Sequence, residues 1–264
     1  MKKIAILLLA ILTFSCSDDD EKGTEENKGQ WAMIFNETVK SDSNPVDRTE
    51  KFMFDGERLI QHIIKQRYFE EEISNEVNLS YSDNQVTVTT DYPTLVYTLN
   101  SEGYASQCVY SLSSQNRIYQ FSYSAEGYLT GIVENIDDIE YSSTSLTYEN
   151  GDITSISSKM NGLENKFIYE PGEESSTYHL PCLGLLEMHP LTFHIEALYA
   201  GLLGKDPRHF TIRSSPAGSN DEKTVYSYGF DKKGNPSRMI CQTTYAGGQA
   251  SYYPYTRNIS VSFE

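Results

Sequence analysis

No apolar run in this chain of 264 residues is long enough to cross a bilayer as a helix: the longest, residues 4–14, falls well short of the roughly 18 a span needs. Basic residues are scarce. Lysine and arginine together number 21 against 37 acids, a formal net charge of −16, and no Lys/Arg cluster exists to release counterions from a phosphate backbone, so nucleic acid is excluded as a partner. Anionic lipid would also repel such a chain, so membrane attachment cannot come from a basic patch. Cysteine is sparse too. Cys16, Cys108, Cys182 and Cys241 are too few and too scattered for a disulfide framework, and the last three read as small buried hydrophobes with at most one pair among them. No Gly-x-Ser-x-Gly elbow, phosphate-binding loop, dinucleotide fingerprint or His-Glu-x-x-His motif occurs. The sequence therefore names no catalytic residue, no cofactor-binding residue and no metal site.

What is present begins at the N-terminus. Met1-Lys2-Lys3, the short apolar run and Ser15-Cys16 have the layout of a lipoprotein export signal, although Thr13 stands where such signals commonly carry Leu. Residues 1–15 are expected to be removed and the Cys16 thiol to carry a diacylglycerol, since two acyl chains anchor stably where one does not. Ser17-Asp18-Asp19-Asp20 resembles the surface-export signal of Bacteroidetes lipoproteins, which implies a lipid-anchored position on the outer membrane, facing the medium. As a run of acids it also reads as a solvated spacer. Processing takes away two lysines and no acids, so the net charge moves from −16 to −18. Residues 16–30, without an apolar side chain after Cys16, read as an acidic flexible tether.

Residues 31–264 read as a single, mainly β domain built on a recurring unit: two aromatic or apolar residues spaced i, i+2, a short polar turn ending in Gly, then renewed alternation. Copies are Phe52-Met-Phe54-Asp-Gly56, Tyr97-Thr-Leu99 to Gly103, Phe121-Ser-Tyr123 to Gly127, Leu146-Thr-Tyr148-Glu-Asn-Gly151, Phe167-Ile-Tyr169-Glu-Pro-Gly172 and Tyr226-Ser-Tyr228 to Gly234. Leu79-Ser-Tyr81-Ser-Asp83-Asn84 is a copy without its glycine. Each predicts a hairpin, because alternation sends successive side chains to opposite faces and a turn glycine supplies positive φ. The strands are expected to follow one another as an antiparallel up-and-down meander, a curved sheet that is barrel-like or half-barrel.

One segment, residues 180–210, leaves this pattern. Pro190 suits a first helical turn, Phe193, Ala197, Leu198, Gly201 and Leu202 fall on one helical face, and Gly204 sits where a C-cap glycine belongs, so a helical insert near residues 190–203 is expected to lie on the concave face of the sheet or plug one end. Ala197-Leu198-Tyr199-Ala200-Gly201-Leu202-Leu203-Gly204-Lys205 followed by Pro207, between Tyr/Gly hairpins, resembles the Bacteroidetes lipoprotein family known as domain of unknown function 4595. The resemblance covers roughly residues 31–264 and implies a porin-like fold, an up-and-down antiparallel β arrangement; it carries over no activity, cofactor or catalytic residue. The hairpins also resemble the YD repeats of large bacterial surface proteins.

Residues that could carry chemistry are few. His189 and His194 lie five apart, about 140° around a helix, and share no face; with Glu187 and Glu196 they form a metal cluster only through tertiary folding. Asp137-Asp138-x-Glu140 reads as a solvated turn more readily than a calcium site. The aromatics are plentiful, 20 Tyr and 11 Phe, and most of them belong to a β core. Tyr252-Tyr253-Pro254-Tyr255 is too dense for one pleated face to bury, which makes Tyr252, Tyr253 and Tyr255 a candidate surface for a glycan or an apolar small molecule. A non-enzymatic binding or assembly module is the favoured reading, and a glycan-acting or other hydrolytic enzyme with scattered carboxylates is the alternative.

Overall fold

The computed structural model describes residues 29–40, 46–68, 71–90, 94–112, 115–176, 180, 189–219, 222–245 and 256–264. They form sixteen strands: β1 (Gln30–Lys40), β2 (Val46–Asp55), β3 (Arg58–Tyr68), β4 (Glu71–Tyr81), β5 (Gln85–Thr89), β6 (Thr94–Leu99), β7 (Ala105–Leu112), β8 (Gln115–Tyr123), β9 (Leu129–Ile136), β10 (Ile139–Glu149), β11 (Asp152–Met160), β12 (Leu163–Ser175), β13 (His209–Pro216), β14 (Glu222–Phe230), β15 (Pro236–Tyr245) and β16 (Thr256–Phe263). Every strand pairs antiparallel with its chain neighbours, and β1 closes on β16 from Met33–Phe263 to Lys40–Thr256, so the meander is a closed barrel. Closure removes both sheet edges.

Alternation decides what each wall shows. Met33 and Phe35 of β1, Phe52 and Phe54 of β2, Tyr97 of β6, Tyr119 and Phe121 of β8, and Ile156 of β11 are buried in one core cluster inside the barrel. Outward positions carry polar groups: Glu76, Asn78 and Ser80 on β4, Ser145 and Thr147 on β10, and Ser260 and Ser262 on β16 are exposed or nearly so. Isolated aliphatics such as Ile34, Val96 and Val133 sit between them, half-buried.

The repeated unit explains a regularity of the two rims. Its period is one strand pair, so six copies turn at the same rim, between β2 and β3, β4 and β5, β6 and β7, β8 and β9, β10 and β11, and β14 and β15. Gly127 and Gly151 there have φ of 91° and 90°, which an L side chain adopts only with strain. The seventh copy is a correction: Gly172 lies within β12, at a register shift, and no hairpin forms there. In its place the chain leaves β12, enters the barrel as the insert, and returns as β13.

The insert is helical but shorter than the spacing suggests. A 3-10 turn, Leu191–His194, leads into α1 (Ile195–Tyr199). Gly201, expected on the apolar face, is instead the residue that stops the helix: at φ 69° it donates to the Leu198 carbonyl while Leu202 donates back to Ala197, a Schellman C-terminus. Gly204 caps nothing. Its φ of 89° and missing side chain admit the Gly127 carbonyl oxygen, which would lie 2.6 Å from a Cβ.

From there the return segment runs along the turn rim. Leu202 O accepts from Ala105 N, Lys205 N donates to Gly127 O, and Arg208 N donates to Gly151 O, at 2.8, 2.9 and 3.0 Å. The spacing of three has a simple origin: three near-extended residues reach about 10 Å, and neighbouring hairpins are two strand spacings, about 9.5 Å, apart. The glycine turns thus form the track on which the insert is fastened.

Candidate functional site

Inside the barrel the insert meets ionisable groups on the wall. Glu134 of β9 is fully buried; it accepts from Ser142 Oγ (2.7 Å), Arg117 Nη1 (3.2 Å) and Tyr119 Oη (3.2 Å), and lies 2.7 Å from His189 Nε2. Burial pushes this carboxyl up, but hydrogen bonds from His189 and Ser142 and the nearby Arg117 and His189 charges outweigh it and hold Glu134 below the usual carboxylate range. The His189 carbonyl is bound as well, by Thr144 and Ser158.

Six strands around the barrel a second cluster holds α1. His62 of β3, also fully buried, has Nδ1 2.8 Å from Glu196 of the insert and Nε2 3.1 Å from Glu50 of β2. Burial lowers the His62 pKa, and the two carboxylates more than reverse this, leaving it above its ordinary value. Glu50 is held below its own despite burial, by His62 and by Arg48 at 2.6 Å. Arg257 pairs with Glu37 beside them. Between the clusters the fully buried His194 ring places Nδ1 2.7 Å from Tyr97 Oη, among Tyr119, Phe121 and Phe193. Burial pushes its pKa down to about 3.

These contacts are a clamp more than a reaction centre. Each pairs an insert residue with a wall residue: His189 with Glu134, His194 with Tyr97, Glu196 with His62. Among the described residues the insert packs against the inner wall, with voids of about 30 Å³ beside Leu198 and beside Tyr199, room for a water or two. His189, His194 and Glu196 go to three different partners, and no group of three or more metal-ligating side chains occurs among the described residues. Asp137 and Asp138 are exposed turn residues with positive φ. Cys108 and Cys241 are buried, and burial pushes the Cys108 thiol up to about 12.

Cys16, Ser17, Asp18, Asp19, Asp20, Tyr252, Tyr253, Tyr255, Glu187 and Cys182 lie outside the described residues. Sequence reasoning missed Glu37, Glu50, His62 and Glu134 as a group. Their signal is parity: each shares the alternation of inward residues, Glu37 with Phe35, Glu50 with Phe52 and Glu134 with Ile132, where a charge needs a partner.

Comparison with known proteins agrees with this architecture. A porin-like protein from Bacteroides uniformis ATCC 8492, solved by crystallography, is similar over 88% of this chain and 96% of its own, with 27% identity and a TM-score of 0.80. A porin-like protein from Bacteroides vulgatus ATCC 8482 shares the fold at 11% identity and a TM-score of 0.53, over 87% and 97% of the two chains. No curated protein matches significantly. The family model described as "Domain of unknown function (DUF4595) with porin-like fold" matches residues 52–238, and the chain belongs to that family.

Proposed function

We propose that the protein is a lipoprotein held at the outer membrane by the lipid on Cys16, displayed at the cell surface, and acting there as a non-enzymatic binding or assembly module for glycans. One observation carries this reading: the core cluster of large apolar and aromatic side chains faces inward onto the chain's own insert, while the outer wall is mostly polar. Its aliphatics, such as Ile73, Ile168 and Val225, are scattered, and among the described residues no aromatic is found with its exposed large hydrophobics. A barrel embedded in lipid needs the reverse, an outer apolar band roughly 25 Å tall flanked by aromatic girdles. A body built this way stands in water and needs a separate anchor, which the Cys16 pattern supplies. The described part of the insert occupies the interior between the two clusters, which leaves the rims and the polar outer wall for a ligand and favours the glycan. The hydrolytic alternative needs a carboxylic acid with a raised pKa as proton donor, whereas Glu50 and Glu134 are both held low. Tyr252, Tyr253 and Tyr255 remain a proposed contact surface.

Metabolic labelling with palmitate and proteolysis of whole cells test the reading. Wild type should take up label and be degraded by added protease. With Asp18, Asp19 and Asp20 all replaced by Ala, label should persist while the protein becomes protected; full accessibility of that variant would refute surface export through this signal.

A further inference from the structure

We infer that the turn rim carries a binding cleft for a carboxylate-bearing sugar, formed by Tyr128, Tyr148, Lys205 and Arg208. It deepens the glycan reading above and rests on it, but not on how the protein is anchored. The β9–β10 ladder stops at Gly131–Ser145, although β9 begins at Leu129 and β10 ends at Glu149. Below that point the strands part and leave a cleft of about 730 Å³ between the two hairpin tips, with Lys205 and Arg208 of the return segment along its floor. That is the size of a small-molecule site.

Its walls have three chemistries. Tyr128 and Tyr148 stand 5.0 Å apart at 31° and offer ring faces, whose negative charge attracts the polarised C–H groups on one face of a pyranose. Thr130, Thr147 and Asn150 line the same space and supply hydroxyl and amide groups for sugar hydroxyls. Lys205 and Arg208 bring positive charge, and neither makes an ion pair or a side-chain hydrogen bond among the described residues. Glu126, at the exposed edge of the cleft, is the one carboxylate among its described lining residues and acts on Lys205 only through space. In a chain with 37 acids and 21 bases, the two cations thus leave the cleft with a net positive charge that suits an external anion. Arginine in particular matches a carboxylate with two parallel N–H donors.

The arrangement is held before any ligand arrives. Lys205 N and Arg208 N are bound to the carbonyls of Gly127 and Gly151. A Cβ on Gly151 would lie 2.6 Å from Tyr128 Oη and 2.9 Å from Arg208 Cδ, so the tyrosine hydroxyl and the arginine stem converge over bare backbone. The Tyr128 hydroxyl has no hydrogen-bond partner among the described residues. A ring stacked on the tyrosines with its carboxylate toward Arg208 and Lys205 would engage every one of these groups.

Titration calorimetry of the mature full-length chain with tetragalacturonate and with cellotetraose tests this. The acidic sugar should bind at least tenfold more tightly. Arg208→Met and Lys205→Met, which keep the aliphatic stems, should each weaken tetragalacturonate at least tenfold and leave the thermal midpoint within a few degrees; Tyr128→Leu should weaken both sugars. Wild-type affinity in Arg208→Met, or displacement of tetragalacturonate by equimolar sodium sulfate, would overturn the site. Equal or preferential binding of cellotetraose would overturn it while leaving a glycan-binding module, and binding of neither sugar would overturn both.

Discussion

Glu196 of the insert and His62 of β3 meet 2.8 Å apart inside the barrel, and Glu50 of β2 holds the other nitrogen of the same ring. A buried histidine between two carboxylates is stable only while all three stay, because removing one partner strands the others without water. The insert is thereby fixed to the wall by charge as well as by packing.

Glu196→Gln tests this contact by its pH dependence. The folded pKa of His62 lies above its ordinary value of 6.5, so its contribution to stability is complete below pH about 6.5 and disappears as pH rises through the folded value. The variant should lose about 1–3 kcal/mol at pH 5.5 and distinctly less at pH 9. Equal losses at the two pH values, measured by denaturant unfolding, would show that the pair acts through packing alone.

His194 works in the opposite direction. Its folded pKa of about 3 lies below the unfolded value of about 6.5, so the unfolded chain takes up a proton first and stability falls on acidification, by up to about 1.4 kcal/mol per pH unit. His194→Gln cannot be protonated and should flatten the decline between pH 6.5 and 4 by that amount. An unchanged slope would place the acid-sensitive group elsewhere.

The packing of the insert is ranked by burial. Leu202 is 5% exposed and closes the helix terminus against Ala197, while Leu198 is half-buried beside a void. Leu202→Ala should cost about 2–5 kcal/mol and Leu198→Ala about 2 or less. The reverse order in unfolding midpoints would mean that the insert does not rest as described.

Two glycines separate backbone conformation from close approach. Gly234 has φ of 83° with nothing within 4 Å of a Cβ, and Gly204 has φ of 89° with the Gly127 carbonyl oxygen at 2.6 Å. Gly234→Ala should cost about 1–2 kcal/mol for the left-handed backbone alone, and Gly204→Ala distinctly more, because Lys205 must leave its hydrogen bond to Gly127. Similar costs for both would remove the track from the account of how the insert is held.

The hairpins were readable because each is a local event: alternation, a polar turn and a glycine lie within ten residues, as around Tyr123 and Gly127. Closure of β1 on β16 was not, since alternation assigns faces and says nothing of which strands meet at the ends. Phe167-Ile-Tyr169 obeys the hairpin pattern yet continues straight through Gly172, because the chain there feeds the insert. Gly201 fitted the apolar stripe of a longer helix as well as it fits a C-terminus, and only the hydrogen bonds from Gly201 and Leu202 distinguish the two. The clamp residues were hidden by distance: His62 and Glu196 are 134 positions apart, and nothing local ties them. The cleft was hidden likewise, its tyrosines belonging to two hairpins and its cations to the insert.

The central claim is that the barrel stands in water and that only the lipid on Cys16 ties it to the membrane. Detergent phase partitioning of wild type and Cys16→Ala, expressed in cells that process lipoproteins, tests it directly. Wild type should enter the detergent phase, and Cys16→Ala should move to the aqueous phase with its β-rich circular dichroism intact. Retention of folded Cys16→Ala in the detergent phase would mean that the barrel wall itself contacts lipid, and would contradict the claim.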